Sequence, residues 1–82
     1  MSREMTSIPG VGRRIAGYLG ELGYTTVEAL RGADPQAMYD RLSLLHGMTY
    51  DRCLLYVFRL AVYYAETDNP EPEKLKWWNW KG

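Results

Sequence analysis

The sequence predicts an all-α protein of about five short helices followed by an aromatic tail. Three observations predict this fold class. Apolar residues recur at the three- and four-residue spacing of amphipathic helices over most of the 82 residues. Glycine, proline and capping residues divide the chain at intervals typical of helices. No segment alternates apolar and polar residues as a half-buried strand would, and no Asn-Gly or Asp-Gly hairpin turn occurs.

The first two helices are predicted on either side of Gly23. The apolar residues before this glycine follow one helix face: Val11, Ile15, Tyr18, Leu19 and Leu22. Gly23 is placed to end the helix at its C′ position. A second, short helix over about residues 26–31 is predicted to open with a capping box. In this box the Thr25 hydroxyl and the Glu28 carboxylate satisfy free backbone amides reciprocally, and Gly32 closes the helix.

A third helix is predicted to begin after Asp34, because an N-capping aspartate followed by Pro35 is a typical start signal. It runs to about residue 45 and ends at Gly47. Its predicted inward face consists of Met38, Leu42 and Leu45.

The last helix is the longest, over about residues 50–66, with Thr49 as its predicted cap. Apolar residues cover most of its circumference, which predicts a central helix or one that also meets a partner. Its polar residues form one narrow stripe: Arg52, Tyr56, Arg59, Tyr63 and Glu66. We interpret this stripe as a solvated face or as an interface with the tail.

The segment Asn69-Pro70-Glu71-Pro72 interrupts the helical pattern and divides the chain into a domain, residues 1–66, and a tryptophan-rich tail, residues 67–82. The tail contains Trp77, Trp78 and Trp80. Because burial of bulky aromatic side chains stabilises a small core, we expect the tail to pack on the domain. Two alternatives stay open: the tail docks on another chain, or its tryptophans and lysines stack on single-stranded bases.

Composition excludes several classes of protein. Ten basic and ten acidic residues give a net charge of zero, which counts against strong nucleic-acid binding. The single cysteine, Cys53, forms no internal disulfide and no cysteine-rich zinc site. No apolar run approaches the roughly 20 residues of a membrane span, and no signal-peptide core is evident. We therefore expect a cytoplasmic protein, and without a nucleophile–base pair, metal cluster or cofactor loop we expect neither an enzyme nor a cofactor.

The segment Ile8-Pro9-Gly10-Val11-Gly12 carries the strongest functional signal. Its glycines permit positive φ and leave no Cβ in the way of a ligand. The turn leads into a helix whose first amides lack acceptors, and these amides and the helix dipole attract anions. We expect Ile8 and Val11 to anchor the turn in the core. The predicted phosphate-binding residues are Pro9, Gly10, Val11, Gly12, Arg13 and Arg14, the arginines adding charge-assisted contacts.

A second segment, Leu45-His46-Gly47-Met48-Thr49, repeats the pattern of an apolar residue, a glycine, an apolar residue and a small residue. This repeat predicts two hairpins related by an approximate two-fold axis. The second hairpin is degenerate, because His46 replaces the proline and Thr49 replaces the last glycine. We therefore expect the second loop, and the lone His46 within it, to be structural.

These features resemble the helix-hairpin-helix domains of DNA repair and recombination proteins and the C-terminal domain of a bacterial competence regulator family. The closer resemblance is to the small bacterial proteins of the pathogenicity locus family, which are single helix-hairpin-helix domains. It covers almost the whole chain and rests on three segments: Ile8-Pro9-Gly10-Val11-Gly12, Tyr50-Asp51-Arg52-Cys53-Leu54-Leu55-Tyr56-Val57-Phe58-Arg59, and Leu75-Lys76-Trp77-Trp78-Asn79-Trp80.

The resemblance implies specific roles for the first hairpin. Amides at Gly10, Gly12 and Arg13 would hold DNA phosphate. Backbone carbonyls at Thr6, Ile8 and Val11 would hold a monovalent cation. Backbone donors that meet phosphate read no bases, so the implied binding is independent of DNA sequence.

The sequence thus predicts weak, sequence-independent DNA binding in an accessory role. The alternative is a protein-protein interaction module, or a self-associating one, in which the hairpin is purely structural and the last helix or the tail binds the partner. The neutral net charge favours the alternative, and the Gly-x-Gly pattern next to Arg13 and Arg14 favours DNA. No membrane partner is expected.

Overall fold

Three α-helices account for most of the regular structure in the computed structural model, which describes residues 5–80 and, for Trp77, the backbone only. They are α1 (Arg13–Glu21), α2 (Pro35–His46) and α3 (Arg52–Glu66). Four 3-10 turns complete the fold: Met5–Ser7, Glu28–Leu30, Pro72–Leu75 and Trp77–Trp80. The described part contains no strand, which confirms the helical class. The number of α-helices is three instead of about five.

The N-terminus of α2 forms as the sequence predicts. The Oδ1 atom of Asp34 accepts hydrogen bonds from the amides of Gln36 at 3.0 Å and Ala37 at 3.4 Å. Pro35 occupies the first helical position, where its missing N–H costs nothing. Gly47 is the C-cap, as predicted.

The start of α3 differs from its prediction. The helix begins at Arg52 because Asp51, and not Thr49, caps it. The Asp51 Oδ1 atom accepts a hydrogen bond from the amide of Cys53 at 3.0 Å. A carboxylate accepts this bond more strongly than a neutral hydroxyl does, so Asp51 is the better cap of the two.

The capping box predicted from Thr25 and Glu28 is also wrong. The Thr26 hydroxyl accepts a hydrogen bond from the Ala29 amide at 3.3 Å instead. The segment closes into a single 3-10 turn, Glu28–Leu30. Six residues are too few for a stable α-helix without extensive packing, and the tighter turn buries Leu30 in a shorter length.

Helix α3 lies at the centre of the core, as its apolar circumference predicted. Eight of its fifteen residues are buried: Leu54, Leu55, Val57, Phe58, Leu60, Ala61, Val62 and Ala65. Helix α2, the turn Glu28–Leu30 and the two C-terminal turns pack around it. No polar or charged residue of the described part is buried in this core.

One predicted core residue of α2 lies outside the core. Met38 and Leu42 are buried, but Leu45 is 59% exposed and the adjacent Leu44 is 83% exposed. Because Leu45 shares the helix face of Met38 and Leu42, its exposure shows that the last turn of α2 extends beyond the core.

The C-terminal turns lie against the polar stripe of α3. The Trp80 ring is half-buried and packs on Tyr63, with ring centroids 5.3 Å apart. Its indole Nε1 donates to the carbonyl of Lys74 at 2.7 Å. Arg59 Nη1 donates to the Trp80 carbonyl at 2.7 Å. Trp78, in contrast, is 51% exposed.

None of the helices between residues 5 and 80 is long and apolar enough to cross a membrane.

The different burial of the two tryptophans generates a stability prediction. We expect Trp80→Ala to lower the free energy of unfolding by about 1.5–3 kcal/mol, because it removes a large apolar side chain from the surface of α3. The matched variant Trp78→Ala should cost less than about 1 kcal/mol, since half of that side chain is already in water. Urea unfolding of both variants measures the difference, and equal losses would show that Trp80 does not cover the core.

Candidate functional site

Two apolar side chains anchor the turn before α1 in the core. Ile8 is 1% exposed and Val11 is 4% exposed, as the sequence analysis expected. Two backbone hydrogen bonds hold the chain between them and the preceding turn. The Val11 amide donates to the Ile8 carbonyl at 3.0 Å, and the Ile8 amide donates to the Met5 carbonyl at 3.2 Å. Gly10 and Gly12, which flank Val11, are exposed.

The two glycines of this turn have different roles. Gly10 has a φ of +86°, a conformation that side chains with a Cβ rarely adopt. Gly12 has a φ of −91° and a ψ of −173°, which is ordinary extended backbone. A Cβ at Gly12 would meet no other atom of the described protein within 4 Å. The fold therefore requires glycine at position 10, and at position 12 the missing side chain matters to what approaches from outside.

Helix α1 begins without a side-chain cap. Its N-cap residue is Gly12, whose carbonyl accepts the first helical bond from the Ala16 amide at 2.9 Å. The amides of Arg13, Arg14 and Ile15 precede this bond, and they find no acceptor among the described residues. Three amides without an acceptor in residues 5–80, at the positive end of a helix dipole, form a site that favours an anion.

The second loop of the repeat has the opposite properties. Its apolar residues Leu45 and Met48 are 59% and 52% exposed, so they do not anchor it. The Asp51 carboxylate already occupies the helix N-terminus that follows. The amide of Cys53, and secondly its thiol, hydrogen-bond to this carboxylate and lower the pKa of Asp51. A negative charge at this position disfavours phosphate, in keeping with the expectation that the second loop is structural.

Arg13 and Arg14 are both exposed beside the uncapped N-terminus of α1. The Arg14 Nε atom donates to the Tyr18 hydroxyl at 2.8 Å, and its guanidinium carbon lies 5.7 Å from the centre of the Tyr18 ring. Arg14 is thereby held along the surface of α1. Arg13 is the first residue of the helix.

An aromatic cluster of Tyr18, His46 and Tyr50 joins α1, the end of α2 and the segment that precedes α3. Its ring centroids lie 5.4–5.7 Å apart. His46 hydrogen-bonds through Nδ1 to the Tyr50 hydroxyl and through Nε2 to Glu21 Oε1 at 3.0 Å. Loss of hydration, and then the neighbouring Tyr18 hydroxyl, raise the pKa of Tyr50. His46 thus connects the ends of α1 and α2, which agrees with a structural role.

A groove of about 420 Å³ lies beside the turn at Gly10, between the first turns of α1 and α3. It is lined by Gly10, Arg14, Ile15, Tyr18, Tyr50, Asp51, Cys53, Leu54 and Val57. The sequence does not predict this groove, because its walls come from segments about 40 residues apart along the chain. The repeat is the sequence feature that could have indicated the groove, because it places the starts of α1 and α3 in equivalent positions.

The remaining predicted site residues are placed as follows. Pro9 is half-buried, Gly10, Gly12, Arg13 and Arg14 are exposed, and the side chain of Val11 is buried in the core. Thr6 is exposed in the preceding turn, and the Ile8 carbonyl already accepts one hydrogen bond. Trp78 and Trp80 lie in the last turn, and the side chain of Trp77 lies outside the described residues. Within the described part, no three His, Cys, Asp or Glu side chains come together as metal ligands.

Comparison with known proteins gives two matches. A family model described as "Pathogenicity locus" matches residues 1–82. A protein of Streptomyces lavendulae named mitomycin resistance protein McrB is 35% identical over 77 residues, which cover 94% of this chain and 70% of that protein. No solved structure matches.

The cap at Asp51 generates a prediction about pH. Because folding lowers the pKa of this carboxyl, its stabilisation is complete above its unfolded pKa of about 3.9 and is lost as the pH falls through the lower folded value. Asn caps equally well at every pH. We therefore expect the wild type to lose stability relative to Asp51→Asn only below about pH 4. Thermal unfolding followed by circular dichroism tests this, and a difference that does not change with pH would contradict it.

Proposed function

The chain belongs to the pathogenicity locus family, and on this premise we propose that it binds DNA weakly and without sequence specificity, in an accessory role. The proposed contact surface is the segment from Pro9 to Arg14. The observation that carries the proposal is the uncapped N-terminus of α1, where three unpaired amides adjoin an anchored turn. Both other α-helices have an aspartate cap at the equivalent position.

Phosphate suits this surface for physical reasons. Unpaired amides and the helix dipole favour a negative charge at the start of α1. Gly12 leaves open space through which a phosphate oxygen reaches the amides. Arg13 and Arg14, which are exposed at the start of α1, add charge-assisted hydrogen bonds to the phosphate. Because Ile8 and Val11 hold the turn rigidly, little conformational entropy is lost when it binds.

The same features limit the affinity. The net charge of the chain is zero, so no long-range field draws DNA to the surface. One helix N-terminus and two arginines engage about 2 to 3 phosphates. Backbone amides contact phosphate in the same way whatever the adjoining base is, so the binding is independent of sequence.

Two further features that the resemblance implies are also proposed. We propose that the two loops are helix-hairpin-helix units, of which only the first binds DNA. We also propose that the carbonyls of Thr6, Ile8 and Val11 hold a monovalent cation. The Ile8 carbonyl keeps a second lone pair beyond the one used by the Val11 amide. A cation there would bring a positive charge close to the phosphate.

A protein-protein interaction module is the second candidate function. The supporting observation is the exposure of three large apolar side chains at the end of α2: Leu44, Leu45 and Met48. In this function the hairpin is purely structural.

A serine at position 12 separates the DNA proposal from a structural role. In Gly12→Ser, the hydroxyl accepts from the amides at the start of α1 and so competes with phosphate, while the better cap raises stability by a few tenths of a kcal/mol. A hydrogen bond to a charged group is worth about 1.5–3 kcal/mol, so DNA affinity should fall by about tenfold. Fluorescence anisotropy with a labelled duplex at low salt measures the loss.

The matched control is Gly17→Ser, at an exposed position of the same helix where a side chain also meets open space. It should leave DNA affinity unchanged. If both serine variants bind as the wild type does, or if the wild type does not bind DNA, the hairpin is structural and the interaction module becomes the better proposal.

Salt dependence tests the number of phosphate contacts. The slope of log K against log salt concentration should be on the order of −2 to −3. Arg13→Gln should make the slope shallower by about 1 and weaken binding to all sequences alike. The control Arg41→Gln removes the same charge from an exposed position of α2 and should leave the slope unchanged. A wild-type slope several times steeper would show that another surface binds the DNA.

A further inference from the structure

Building on the proposed DNA binding, we propose that the groove beside the hairpin receives one unpaired nucleobase. The preferred substrate is then DNA that contains an unpaired nucleotide, and continuous duplex is bound only through the phosphate contact. The phosphate site and the groove are contiguous, because Gly10 and Arg14 belong to both.

The size of the groove fits a single base and its sugar. Its volume of about 420 Å³ lies near the lower end of the range of about 300–1,000 Å³ typical of small-molecule sites. A paired and stacked base cannot enter such a site, since it must first leave the helix. The cost of leaving is smallest for a base that has no pairing partner.

The walls of the groove offer the contacts that a base requires. Ile15, Leu54 and Val57 provide apolar surface, and Tyr18 and Tyr50 provide aromatic rings on which a base stacks. Both rings are held in place before any ligand arrives. Tyr18 accepts a hydrogen bond from Arg14, and Tyr50 is bonded to His46 and packed against Tyr18.

The charge in the groove determines which part of a nucleotide enters it. The Asp51 carboxylate repels a second phosphate and leaves the anion to the uncapped start of α1. Its two oxygens offer about four acceptor positions, of which the Cys53 amide and thiol use two. The others can accept from an exocyclic amine. Adenine and cytosine carry such a donor, and thymine does not.

The test compares a short duplex with the same duplex carrying one extra, unpaired adenine. We expect the wild type to bind the bulged DNA about fivefold or more tightly, as one stacked base contributes. A bulged thymine should bind less tightly than a bulged adenine. With 2-aminopurine at the bulge, stacking on the tyrosines should quench its fluorescence on binding.

Two variants change the groove and leave the residues of the phosphate contact unaltered. Asp51→Ser keeps a good N-cap residue but removes the carboxylate, and its matched control is Asp34→Ser, which makes the same change at the start of α2. Only Asp51→Ser should abolish the preference for adenine over thymine. Cys53→Phe should fill the groove and reduce the ratio of bulged to duplex affinity to about one, with circular dichroism used to confirm its fold.

The outcomes distinguish the two proposals. Equal wild-type affinity for bulged and continuous duplex overturns the groove inference but leaves the phosphate contact in place. A bulge preference that survives both Asp51→Ser and a folded Cys53→Phe variant also overturns it. Failure of the wild type to bind either DNA overturns the proposed function together with the inference.

Discussion

The burial of α3 on nearly all sides is the constraint on which the rest of the structure depends. Phe58, Leu60 and Ala61 are fully buried in the middle of this helix, which is the longest element among residues 5–80. Every other segment must therefore supply apolar surface to α3 or to the cluster around it. This requirement explains why short 3-10 turns, which have little stability of their own, are ordered here.

The same core positions the turn before α1. Ile8 and Val11 contribute to the hydrophobic cluster, so Gly10 and Gly12 are held at the surface beside them. The anchoring residues and the exposed glycines alternate along five residues. The core thus holds the short turn in place, and the backbone amides at the start of α1 stay outside it. Preorganised donors of this kind bind anions with little loss of entropy.

The two loops of the repeat show how small differences change a surface. Each contains a glycine with positive φ, Gly10 in one and Gly47 in the other. In the first loop the apolar residues are buried and the following helix has no side-chain cap. In the second they are exposed, and Asp51 supplies a negative charge at the helix start. The groove between the two helix starts therefore has an electropositive side and an electronegative side.

Local physical chemistry allowed the sequence by itself to determine the helical class, the Asp34 cap, the anchoring of Ile8 and Val11, and the central position of α3. Each depends on residues within a few positions of one another or on the periodicity of one helix. The sequence did not determine which of two neighbouring residues accepts a capping hydrogen bond. Asp51, and not Thr49, caps α3. Thr26 accepts the bond that the predicted box of Thr25 and Glu28 would have made. Tertiary structure alone decided the exposure of Leu45, the cluster of Tyr18, His46 and Tyr50, and the groove. These features join side chains from separate segments, and their distances depend on how the helices pack, which no single segment encodes.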